Sequence, residues 1–185
     1  MKIKPENILK ALERYRKLSD DILKAKDELD KKITQIIKVL GFEVAPPRLR
    51  SIIKSVIEEY VFSKPSLDPD EFSSMLIEEI DNTIEDLLED LKCIEGAEAR
   101  MIFTIIERLK ELRGKINELI KSKWNDILPL LKGTIRIRKR ISRLLKERRE
   151  LFGLEKGDPL TLESFVRFVY KCLKHAIEEE GVESE

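Results

Sequence analysis

Apolar positions in this chain recur in long runs at helical spacing. Ile8, Leu12, Tyr15, Ile22, Leu29, Ile33, Ile36 and Leu40 follow one another by steps that fit an alternation of four and three, with Ser19 and Lys26 filling two seam positions. Pro5 suits a first helical turn, and Gly41 suits a C-terminal cap. A heptad pattern of this length predicts a helix of about 50 Å packed lengthwise on a partner helix. The seam closes either within the chain or between two chains.

Pro46 and Pro47 break the pattern and start a second helix, with a stripe of Leu49, Ile52, Ile53, Val56, Ile57, Tyr60 and Val61. Lys64-Pro65-Ser66-Leu67 reads as a connector. Asp68-Pro69-Asp70-Glu71 then combines an N-cap acid, a proline at the first position and an acid three residues on. The third helix carries Phe72, Leu76, Ile80, Ile84, Leu87 and Leu91, turns acid toward solvent, and stops at Gly96. A fourth, from about Ala97 to Leu128, has Ile102, Ile105, Leu109, Leu112, Ile116, Leu119 and Ile127 at heptad spacing. Gly114 inside it signals a close contact or a slight bend. Pro129 is expected to end or kink this helix, and Lys132-Gly133 to turn the chain.

From Thr134 to Phe152, Ile135 and Ile137 alternate with Arg136 and Arg138, which leaves a short strand open. The continuation through Ile141, Leu144, Leu145 and Phe152 favours a helix. Gly153 to Pro159 reads as a loop. A last helix starts near Asp158 or Thr161 and buries Phe165, Val166, Phe168, Val169, Cys172, Leu173 and Ile177, before an acidic tail from Glu178 to Glu185. The expected fold is therefore all-α: a bundle of about six helices, long and coiled-coil-like, with no sheet. Residues 1–45 form an N-terminal heptad helix, as an arm or a bundle member. Residues 46–185 form the bundle.

Charge changes this picture more than composition does. Charged residues make up 39% of the chain, yet 36 Lys plus Arg balance 36 Asp plus Glu. Residues 57–99 hold fourteen acids against two lysines, and residues 100–150 hold sixteen basic residues against six acids. Either the two halves neutralise each other by packing, or surfaces of opposite sign face partners. The wealth of Lys, Glu, Arg and Ile, with Gln35 the only glutamine, fits a thermophile. Cys93 and Cys172 sit on apolar helix faces, as expected of buried free thiols. No signal peptide and no apolar run of membrane-spanning length is evident, so a soluble cytoplasmic protein is expected.

Catalytic signatures are absent. A carboxylate-bridged metal pair in a bundle needs Glu-x-x-His motifs, and here Cys172 stands three residues before the only histidine, His175. Acid pairs such as Asp81 with Glu85, or Asp86 with Glu89 or Asp90, are unavoidable among 36 acids. No glycine-rich phosphate loop occurs. The expectation is no enzyme, no cofactor, no metal site and no small-molecule substrate.

One segment stands out. Thr134 to Arg149 contains Arg136, Arg138, Lys139, Arg140, Arg143, Lys146, Arg148 and Arg149 against a single acid. On a helix, Arg136, Lys139, Arg140 and Arg143 share one side, as phosphate contacts require. The competing reading pairs these arginines with the acidic third helix or leaves them as a solvated face. No aromatics interleave with them. Trp124 is a candidate packing or interface anchor.

From Leu49 to about Leu151 the order of elements resembles the helical domain of archaeal GINS-complex subunits. The carrying residues are Leu67-Asp68-Pro69-Asp70-Glu71-Phe72 and Glu107-Arg108-Leu109-Lys110-Glu111-Leu112-Arg113-Gly114-Lys115-Ile116. Two departures stand against this: no small β-rich domain is visible, and the first helix has no counterpart in that pattern. The resemblance implies a non-catalytic subunit of a DNA-replication assembly. From the residues themselves, long seams and opposed charge point to protein partners or self-association through helix faces, with nucleic-acid binding through the basic segment as the alternative.

Overall fold

A computed structural model describes residues 5–43, 47–63, 66–151 and 162–182. Those residues are helical, without strands, in five helices: α1 (Pro5–Val39), α2 (Pro47–Phe62), α3 (Pro69–Asp90), α4 (Ala97–Glu150) and α5 (Leu162–Val182). Pro46, Lys64, Pro65, Phe152, the loop expected over 153–159, the helix starts at Asp158 or Thr161, the side chains of Phe165 and Val166, and the side chains beyond Glu178 lie outside the described residues.

The helix ends follow from local chemistry. Gly41 has φ 82°, its N–H donates to Lys38 O at 2.9 Å, and the Phe42 N–H donates to Ile37 O at 3.0 Å. These two bonds form a Schellman motif, which needs the left-handed conformation glycine adopts freely. At the start of α3, Asp68 Oδ1 accepts the Asp70 N–H at 3.0 Å and Pro69 occupies the first turn. Glu71 reaches back to accept from the Ser66 N–H at 3.2 Å and from the Ser66 hydroxyl.

The sequence pattern predicts two helices where the structure has one. α4 continues through Pro129 and Gly133 for 54 residues. Proline withdraws one N–H and leaves the Asn125 carbonyl without its helical donor. Ile127 and Leu131 on either side are fully buried, and Thr134 follows them into the core. Pro129 and Asn125 are themselves exposed, so the break in the hydrogen-bond ladder falls on the side of the helix away from the core. Packing of the flanking apolar stripe therefore outweighs the local penalty. Gly133 is a helical residue rather than a turn, with a Cβ position 3.6 Å from the Lys32 Cε. Gly114 marks no close contact, since nothing lies within 4 Å of its Cβ position.

The chain groups into two compact units whose boundaries fall inside helices. One comprises Met1–Glu28 with Lys139–Glu185, the other Leu29–Arg138. In the second unit, Tyr60, Phe72, Leu76, Ile80 and Leu87 from α2 and α3 are fully buried with Ile36 of α1 and Ile116, Ile120, Ile127 and Leu131 of α4. The Tyr60 and Phe72 rings meet edge to face at 5.0 Å. The smaller cluster of the first unit gathers Leu18 and Ile22 of α1 with Leu144 of α4.

The α1 seam differs in detail from its sequence pattern. Leu18 and Ala25 are buried where the strict repeat places Ser19 and Lys26, so the apolar line shifts by one residue. Two further expectations are corrected. Cys93 is exposed, because α3 ends before it and it lies in the turn beyond; Cys172 is buried. On α5, Leu173 and Ile177 are exposed at 51% and 69%, because Cys172 lies on the packed side and the neighbouring face is open.

Candidate partner-binding face

The basic segment is helical throughout, so its eight cations radiate from one rod. Helical phase then sorts them. Ile141 and Leu144 point into the first unit, and the cations nearest that side meet α1. The Arg148 guanidinium lies 5.4 Å from the Tyr15 ring centroid and donates to the Ser19 hydroxyl at 3.2 Å. Its Nε is buried without a hydrogen-bond partner among the described residues. Arg140 reaches Glu28 at 3.3 Å. The segment's single internal acid, Glu147, is held by Arg14 at 3.0 Å, so it neutralises none of the segment's own cations.

Lys139 and Arg143 lie on the opposite side of the helix, exposed, with no ion pair among the described residues. Lys146 shares that side and touches only Glu150, four residues on, at 3.8 Å. Exposed i,i+4 pairs of this kind contribute little. Arg149 is half-buried and makes no ion pair among the described residues. In the other unit, Arg138 stacks on Phe62 at 4.1 Å, and Arg136 is exposed and makes no ion pair among the described residues. No signal in the sequence marks Tyr15, Ser19, Glu28 or Phe62 as partners of this segment. Each comes from a distant helix and is brought there by packing alone.

Trp124 does not face outward. It is half-buried against the core of its unit, 6.1 Å from the Phe72 ring.

The acidic helix α3 has a comparable open face. Arg113 takes Asp81 and Lys121 takes Asp70, both from α4 within the same unit. Lys92 takes Glu89 at 2.6 Å. Glu78, Glu85, Asp86 and Asp90 are exposed and make no ion pair among the described residues. Among the described residues no group of three or more His, Cys, Asp or Glu side chains gathers closely enough to hold a metal ion. No described helix is long and apolar enough to cross a membrane.

No protein-family model matches the chain, and neither a curated protein nor a solved structure matches it.

Proposed function

We propose that this protein is a non-catalytic helical subunit that joins an intracellular, cytoplasmic multi-protein assembly through the open faces of its helices. The observation that carries this reading is the pair of open charged faces: Lys139 and Arg143 on α4, beside Lys146 with its exposed contact to Glu150, and Glu78, Glu85 and Asp86 on α3, with no ion pair to Lys139, Arg143 or these three acids among the described residues. Exposed Met101 and Phe103 near the start of α4 and Tyr170, Leu173 and Ile177 on α5 add apolar contact area of the kind that partners cover. The resemblance of residues 49–151 to GINS helical domains makes a replication assembly the first to test. The test is capture of partners by the tagged protein from nuclease-treated lysate. Partners in fixed stoichiometry, lost when Lys139, Arg143 and Lys146 are all changed to Glu or when Glu78, Glu85 and Asp86 are all changed to Lys, support the reading. Partners indifferent to both changes refute this assignment of the faces.

A second reading is favoured by the basic face alone. Exposed cations along one helix, of which Lys139 and Arg143 make no ion pair among the described residues, suit the phosphates of a nucleic acid, whose binding releases counterions and weakens steeply with salt. Arg140, engaged with Glu28, is a poorer probe of that reading than Lys139 and Arg143. Affinity for a random-sequence duplex that is flat between low and high salt would exclude it.

A further inference from the structure

Deepening the assembly reading, on which it rests, we infer that one partner of this protein is a second copy of itself. The contact sets the acidic face of α3 in one molecule against the basic face of α4 in the next.

Three observations carry this. First, the two faces have opposite sign and the same repeat. Glu78 and Glu85 are seven residues apart on one side of α3, with Asp86 beside them. Lys139 and Lys146 are also seven apart on one side of α4, with Arg143 between them. Seven residues rise about 10.5 Å, so two rows of equal length are available to meet.

Second, among the described residues the ion pairs within the chain touch the two rows only at Lys146, through an exposed contact to Glu150 on its own helix. The α3 acids that are paired go to Arg113, Lys121 and Lys92. The cations of the basic segment that are paired go to Glu28 and Glu150. Third, the chain as a whole is neutral, with 36 cations against 36 anions. Two copies therefore feel no net repulsion at long range, while the separation of charge along the sequence attracts unlike faces. Because the two faces are different surfaces, the contact is heterologous: it leaves one acidic and one basic row unused at the ends unless the assembly closes.

The experiment is sedimentation velocity on the full chain. At about 10 mM salt, where charges act over about 30 Å, the wild-type protein is expected to associate; at about 1 M, where the range falls to about 3 Å, it is expected to dissociate. The K139E/R143E/K146E and E78K/E85K/D86K variants are each expected to stay monomeric at low salt. All six positions are exposed, and unchanged helical circular dichroism establishes that the variants fold.

Mixing the two variants is the decisive step. The intact acidic row of the first then meets the intact basic row of the second, and a one-to-one complex should form that neither gives alone. Wild-type protein that is monomeric at low salt, or variants that still self-associate, would overturn the inference. The outcome is separable from the other readings. The α3 variant loses self-association while keeping nucleic-acid binding if the basic face also takes phosphates. A monomeric wild type that still captures foreign partners through these faces leaves the assembly reading standing and removes only self-association.

Discussion

Arg113 grips Asp81 through two parallel hydrogen bonds, Nε to Oδ1 at 2.5 Å and a terminal nitrogen to Oδ2 at 3.0 Å, tying α4 to α3 on the surface of their unit. The guanidinium holds the Asp81 carboxyl below its ordinary value. A carboxyl whose folded pKa is depressed binds its proton more readily in the unfolded chain. Its contribution is complete above the unfolded value, about 3.9, and disappears as pH falls through the folded one. D81N should therefore melt slightly below the wild type at neutral pH, and the gap should close in strong acid. Thermal melts at several pH values check this, and a gap that persists in strong acid would assign the loss to packing instead.

Tyr60 gives the opposite case at high pH. Its side chain is fully buried, and its hydroxyl, close to the backbone of Leu67 and Asp68, makes no well-formed hydrogen bond among the described residues. Burial, with the charge of Glu71 nearby, pushes the phenol up to about 12. The neutral form is favoured in the fold, so this contribution is present below about 10 and is lost as pH rises toward the folded value. Y60F should stay within about 1 kcal/mol of the wild type at neutral pH, because the hydroxyl it removes is at best weakly held by the Leu67 and Asp68 backbone. It should also lose less stability than the wild type in alkali. Urea unfolding at neutral and alkaline pH measures both.

The interior of α4 contains two residues that local propensity disfavours. Ala at Gly114 meets open space and should add about 0.5 to 1 kcal/mol. Ala at Pro129 restores a helical N–H and should add up to about 3 kcal/mol. A shift of the urea midpoint to higher concentration at unchanged slope is the expected result. A loss of stability at Pro129 would mean that the bend it permits is used in packing.

Burial should separate two leucines of α3. Leu76 is fully buried in the main cluster and Leu88 is 46% exposed. L76A should cost about 2 to 5 kcal/mol, and L88A should stay within about 0.5 kcal/mol. The same unfolding curves decide, and comparable losses would show that Leu88 is covered in solution by a partner.

Periodicity carried most of the helical reading because a helix needs little beyond its own sequence: apolar residues every three or four positions and a stop signal at each end. The stripe of α2, from Ile52 to Val61, is buried as its spacing implies. The Asp68-Pro69 start and the Gly41 stop form with the geometry their side chains favour. At Pro129 the same reasoning failed, because a local breaker cannot register the tertiary contacts of Ile127 and Leu131 on either side of it.

The candidate face was half legible. Eight cations in sixteen residues are plain in the sequence. Which of them remain free is not, since Glu28 lies 112 residues from Arg140 and Ser19 lies 129 from Arg148. The sequence by itself determined an all-helical chain with segregated charge, because helical repeat and net charge are properties of neighbours along the backbone. Only the tertiary structure decided that Arg140 and Arg148 are engaged by α1 while Lys139 and Arg143 stay open. That outcome depends on which helix packs beside which, and charges distant in sequence become partners only when burial of the apolar stripes sets them side by side.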